Sequence, residues 1–454
     1  MPLIESDWPI FENTFDPINH LPHLIARLDQ LKVLIENQGF THAVIYGNPH
    51  HYANLVSLTG FDPRFEDALL IVRPNHSPLI LVGNECEAYL RISPLFQTGL
   101  LRREVFQPFS LADQPRSSTR SLGDIFSSEG VTTTSKIAAI GSKSYFGLEE
   151  SDLPSYIIDT LRRLTRLDSV LNLTNWFIDP ETGLRTISSH AEIALFESNN
   201  VRASEAMRRI QFALRPGMTD YELLTHAHYD GSPLSCHMTL KTGPKRISLA
   251  SPSGNIIERG HTWSANVAYW GSNICRANWV ASDERDLPAP ARDYLSAFTE
   301  PYFEAVTTWL ANLRLDADCK ELYKQIHASL PYDLFHIFLN PGHHISYDEW
   351  PSSPFHPTST ARIKSGMVIQ SDIIPSHPTY FSTRLEDGFA IANDSLRQTI
   401  SQHYPHAWKR ISARCTFLEN SLNIPLPSEV LPLSNTACIL APWALAPNRI
   451  LKRQ

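Results

Sequence analysis

The sequence has no apolar run approaching the ~20 residues that cross a bilayer, so a membrane-spanning helix is not expected. It also has no run of clustered lysine and arginine. Phosphate backbones are gripped by such clusters on one face, so nucleic acid is excluded as a partner, and the formal net charge of −8 points the same way. The opening MPLIESDWPIFENTF lacks a basic start followed by an apolar core, and predicts no secretory leader. The six cysteines (Cys86, Cys236, Cys275, Cys319, Cys415 and Cys438) are scattered, without the paired spacing of a zinc ribbon. They read as small reduced hydrophobes, with Cys275 set apart by its neighbours. The expectation is a soluble, cytoplasmic protein whose partner is a small molecule.

What is present is material for two cores: 454 residues, 42% hydrophobic and 19% charged. Residues 21–38 space their apolar positions as a helix that ends before Gly39. THAVIYG, ALLIVRP, SPLILVG and IAAIG are short β-rich runs between turn formers. The stretch 101–135 is polar and irregular, and a helix is predicted near 156–167. This alternation predicts a small α/β domain over residues 1–180. A polar linker then leads to Ser189-x-x-Glu192, a capping box opening a long helix. A second box, Thr219-x-x-Glu222, follows RPGMT. Strand-rich and helical stretches then alternate, predicting an α+β domain over 185–404, with 405–454 as an extension over the surface of one domain.

Several motifs of the second half stand in a telling order. ISSHAEIALFESNN at 187–200 precedes RPGMTDYELL at 215–224, NICRA at 273–277, PGHHI at 341–345, KSGMVIQSDIIP at 364–375 and RLEDGFAI at 384–391. In this order and with these gaps they resemble the creatinase, prolidase and aminopeptidase P family. That resemblance implies a pita-bread catalytic domain preceded by a smaller, creatinase-type N-terminal α/β domain.

In metal-using members of the family, two Asp, one His and two Glu hold a pair of divalent ions, because two close cations need several carboxylates to neutralise and bridge them. Carried over residue by residue, the resemblance puts His343 at the His, Asp372 at the first Glu and Glu386 at the last Glu. The two Asp positions fall on Asn266 and Asn273, and neutral amides cannot supply the missing charge. The expectation is a metal-independent site, with a single divalent ion on His343, Asp372 and Glu386 as the alternative. Creatinase keeps this fold without metal and uses a His as proton carrier. The corresponding place here, near Ala250 and Ser251, has none, so that mechanism does not transfer as it stands.

The residues themselves suggest replacements. His343, raised in pKa by neighbouring carboxylates, would shuttle protons, and His237 on an expected strand could face the same cavity. Asp372 and Glu386, crowded together, favour a ligand with an ammonium or guanidinium group, unless Arg384 or Arg276 neutralises them. Glu349 and Trp350 offer an acid and an aromatic wall, with Tyr269 and Trp270 opposite. GFDPRFED at 60–67 resembles the loop that, in the family, reaches a neighbouring subunit's pocket, so Phe61 and Arg64 would cap the site of a homodimer. The function expected is hydrolysis of a C–N bond in a small amino-acid-derived or peptide-like substrate. The alternatives are an Xaa-Pro-type metallopeptidase, a biosynthetic lyase, cyclase or rearrangement enzyme, and a non-catalytic binding protein.

Overall fold

The computed structural model describes residues 2–144, 150–244 and 249–454. Of the segment 246–254, where a creatinase-like His was sought, residues 246–248 lie outside the described residues. The chain forms two units, Asn19–Arg185 and Met1–Ile18 together with Thr186–Gln454.

In the first unit the short apolar runs become a six-stranded sheet in the order Arg102–Val105, Leu79–Val82, Ala68–Val72, His42–Gly47, Ile137–Ile140, Val170–Asn172. The four central strands read as nearly continuous apolar runs because helices cover both faces. Ile45, Leu70 and Ile80 pack with Leu24, Leu28, Leu31 and Ile35 of the helix Leu21–Asn37. Val44, Leu69 and Leu81, one residue out of phase, pack with Phe126, Ile157 and Leu161. The stretch 101–135, irregular by its sequence, contributes the edge strand Arg102–Val105 and the helix Leu122–Ser128. Both are short, and a four-residue polar strand carries no readable period.

The second unit opens its long helix, His190–Ala213, with the expected capping box, and Thr219 caps Asp220–Thr225 in the same way. Its main sheet runs His343–His344, Val368–Ser371, Arg384–Ile391, Ile274–Trp279, Thr262–Val267, Thr239–Gly243, all antiparallel, and Val430–Pro432 also pairs with Arg384–Ile391. Strand alternation sorts the side chains. In 262-TWSANV-267, Trp263, Ala265 and Val267 pack with Met207 and Ile210 of the long helix. In RLEDGFAI, Leu385 and Phe389 share a core with Tyr302, Val306 and Trp309 of the helix Glu300–Asn312. The opposite face keeps the polar set.

Residues 405–454 are integral to this unit rather than a surface layer. Helix Pro405–Asn420 sends Arg410 and Arg414 to a fully buried Glu197, and Leu433, Cys438, Leu440 and Trp443 are core. Their burial escapes a reading by period because 433–445 is irregular chain. Leu3–Glu5 pairs antiparallel with Arg449–Leu451, so the first eighteen residues belong to this second unit and not to the expected 1–180 domain.

Candidate active site

The polar face of the second sheet gathers its residues through cross-strand register. Cys275 stands opposite both Asn266 and Glu386, Thr239 opposite Asn266, and His343 opposite Gln370. Antiparallel partners point to the same face, so six strands deliver Thr239, Asn266, Cys275, Glu386, Gln370 and His343 to one place. Asn273 enters just ahead of its strand and Asp372 just after its own.

A chain of amides organises the centre. The backbone N–H of Thr239 donates to Asn266 Oδ1 at 2.8 Å, which fixes the orientation of that amide. Asn266 Nδ2 then donates to the His237 carbonyl and to Asn273 Oδ1, each at 3.2 Å. Asn273 Nδ2 is thereby turned toward the acids, donating at 2.9 Å to Glu349 and at 2.9 Å to Glu386. The Gln370 side chain donates to the Asn273 carbonyl.

His343 is fully buried. Its Nδ1 hydrogen donates to the His344 carbonyl at 2.9 Å, leaving Nε2 as the lone-pair nitrogen. That nitrogen makes no hydrogen bond among the described residues and lies 3.7 Å from Asp372 and 3.9 Å from Glu349. Trp350 stacks on the imidazole at 4.1 Å. Trp350, 37% exposed, and Glu349, with 27% of its side chain exposed, form the solvent side of the cluster.

Among solved structures the chain is similar to the prolidase of Pyrococcus horikoshii, with a TM-score of 0.62 at 15% identity over 81% of this chain and 95% of that one. It is similar to the Xaa-Pro dipeptidase of Bacillus anthracis, with a TM-score of 0.62 at 13% identity over 82% and 96%. It also resembles the N-terminal domain of FACT complex subunit SPT16 from chickpea, with a TM-score of 0.57 at 13% identity over 82% and 93%. The chain has the pita-bread fold. No family model and no curated protein matches it.

Within this pita-bread site, charge is crowded. Burial raises the pKa of Glu386 well above the carboxylate range, the neighbouring Asp372 adds to the rise, and Arg384 opposes it. Asp372 rises through burial and the charge of Glu349, again against Arg384. Glu349 rises through burial, eased by the Asn273 hydrogen bond. His343 departs from the sequence expectation: burial outweighs its acidic neighbours and pushes it down to about 4. Arg384 is buried, with Nη1 3.6 Å from Cys275 Sγ. Cys275 is thus a member of the site, as its place beside Asn273 and Arg276 suggested.

Other expected members stand elsewhere. Arg276 is on the opposite face of its strand, in a buried pair with Asp387 at 2.9 Å, because alternation turns it away from Cys275. Tyr269 is buried at the hairpin turn under Arg202, whose guanidinium sits 5.0 Å above its ring. Trp270 packs edge-on against Tyr347 at 5.3 Å. His237, by contrast, stays at the rim of the site: it precedes the strand that begins at Thr239 and is exposed, but its carbonyl accepts from Asn266 and its charge acts on Glu349. In the first unit Phe61 is fully buried in its own core and cannot cap a neighbour's site, while Arg64 is exposed and pairs with Asp62 at 3.0 Å. Gln370 was not anticipated, although its place two residues before Asp372 is the alternation signal that marks it.

The residues present also test the paired ions that the fold implies. Two cations would need acids at Asn266 and Asn273, and the neutral amides that stand there are committed to one another and to Thr239, His237, Glu349 and Glu386. One ion does fit. His343, Glu349 and Glu386 offer ligand atoms that all lie within 4.8 Å of one another, and a carboxylate oxygen that accepts one N–H keeps a further lone pair.

Proposed function

We propose that the chain is a hydrolase that cleaves a C–N bond in a small amino-acid-derived or peptide-like substrate carrying a positively charged group. The observation that carries this reading is the fully buried His343, whose unpartnered Nε2 faces Asp372 and Glu349 within a cluster closed by Glu386. Even with Glu386 protonated, Asp372 and Glu349 outnumber the single guanidinium of Arg384 and leave the site short of positive charge, which an ammonium or guanidinium supplies. The Trp350 face and the partly exposed Glu349 receive that cation.

In the reaction, His343 Nε2 accepts a proton from the attacking water, and Glu386, held protonated by burial, delivers its own to the departing nitrogen. Transfer from the imidazolium back to Glu386 restores the starting state. A positively charged substrate group beside the acids draws them toward their ionised forms, so substrate binding and proton delivery are linked. The same chain of residues would serve a lyase, but the likeness to prolidase and dipeptidase structures favours hydrolysis.

An Xaa-Pro-type metallopeptidase is the second reading, supported by the names of the similar structures. His343, Glu349 and Glu386 would hold its ion, which when bound polarises a carbonyl and acidifies water.

A panel of Xaa-Pro dipeptides and of guanidino and N-alkyl amino acids, assayed with and without chelator, separates the two. The expected outcome is turnover of a cationic substrate that H343A and E386Q each reduce by roughly 10²–10⁴-fold with unchanged circular dichroism. Full activity in both variants would sink the site assignment. A homodimer belongs to the same reading, and light scattering is its test.

A further inference from the structure

We infer that the site binds one divalent cation, not two, on His343 Nε2, Glu349 and Glu386, with Glu349 as the ligand that sets this chain apart. Four observations converge. These three side chains are the one set of His, Cys, Asp and Glu among the described residues whose ligand atoms gather within 4.8 Å. His343 Nε2 is fully buried, carries the lone pair because Nδ1 is spent on the His344 carbonyl, and has no hydrogen-bond partner. An imidazole nitrogen locked in this tautomer by its other nitrogen is the usual form of a metal-bound histidine. Asn273 donates at 2.9 Å to both Glu349 and Glu386, holding them together as the outer partner of two ligands.

Charge counts set the number of ions. Once an ion draws them into their ionised forms, Glu349, Asp372 and Glu386 face one guanidinium, Arg384, and the excess of negative charge is what a single divalent ion cancels. Asn266 spends both N–H groups on His237 and Asn273 and both oxygen acceptances on Thr239, so it offers nothing to a second cation. The sequence pointed to Asp372 as the third ligand. Asp372 lies 3.7 Å from the same nitrogen, but its oxygens do not converge with the other two acids. Nitrogen from one His with two carboxylate oxygens, and positions left open, suits Mn2+, Co2+ or Zn2+. This inference rests on the metallopeptidase reading and not on the metal-free one, since an ion on His343 Nε2 and Glu386 occupies the atoms that the metal-free reaction uses for proton transfer.

The test is calorimetric titration of the chelator-stripped full chain with Mn2+, the free ion followed in parallel by electron paramagnetic resonance. Saturation at one Mn2+ per chain is expected, with a nitrogen coupling from one imidazole in the pulsed spectrum. E349Q should weaken binding by at least about 100-fold, the upper end of what losing even an outer partner costs, whereas D372N should keep one ion per chain. Two ions per chain, no binding at all, E349Q with parental affinity, or a bound ion without nitrogen coupling would each overturn the inference. The stoichiometry and the coupling are read on the parent chain, so an unfolded variant does not stall the test. Turnover surviving a failed titration would leave the hydrolase reading intact, and the reverse result would leave the ion site intact.

Discussion

Asn266 and Asn273 carry no charge, yet they decide what the site will accept. Their amides run as a relay from the Thr239 backbone to two carboxylates, and each step fixes the next by matching donor to acceptor. An aspartate at 273 would reverse that match. N273D should therefore lower the stability of the metal-free protein by roughly 1–3 kcal/mol, the cost of a buried polar mismatch, and strengthen Mn2+ binding. Thermal melts with and without Mn2+ would show a lowered midpoint that the ion restores; a midpoint indifferent to Mn2+ would argue against the relay. At this scale the sequence marked His343, Asp372, Glu386 and Asn273 through motifs with fixed neighbours, whereas Asn266 lies in none of those motifs and takes its place from the register opposite Cys275. The sequence misplaced Arg276 and Tyr269, which are close to Asn273 along the chain but directed elsewhere by strand alternation and by the hairpin turn. Glu349 was marked as a substrate contact, and only the fold reveals that its oxygen meets His343 Nε2 and an oxygen of Glu386.

Strands and helices show why the two faces of one sheet do different work. The chemistry needs polar residues on one side, and the helices Glu300–Asn312 and His190–Ala213 cover apolar residues on the other. Arg276 and Asp387 are the exception on the covered side, bonded to each other and, through Arg276, to the Thr436 and Glu386 carbonyls. Removing one partner leaves a buried charge, so D387N should cost about 3–5 kcal/mol. Urea unfolding of D387N, R276M and an R276M/D387L pair checks this. The pair should recover most of the loss, and an additive double variant would refute the coupling. In the first unit, burial holds His42 below the ordinary histidine value. The unfolded chain takes up that proton below about pH 6.5 and the folded one resists it, so stability falls as the pH drops through that value. H42Q should flatten this acid limb in pH-dependent melts.

Over the whole molecule, the sequence disclosed an α/β unit, an α+β unit and their order, since strand runs and capping boxes are local signals. It did not disclose that the second unit takes its first strand from the far N-terminal side of the first, or that 405–454 is core. Nothing local records that Leu3–Glu5 waits for Arg449–Leu451, and a partnership across such a separation leaves no periodic trace. Asn19–Arg185 is continuous and carries its own two hydrophobic clusters, so expressed alone it should give a cooperative melt. Deleting residues 446–454 should unseat Leu3–Glu5 and lower the melting point of the second unit only; an unchanged melt would show that the terminal pairing is ornamental.

That terminal pairing has a bearing on synthesis. During synthesis Asn19–Arg185 emerges before Arg449–Leu451 does, so Leu3–Glu5 stays without its strand partner until those residues follow. The insert thus matures inside an unfinished host, and joining the two ends with a short linker and opening the chain in an exposed turn should yield a circular permutant whose second unit no longer has to wait.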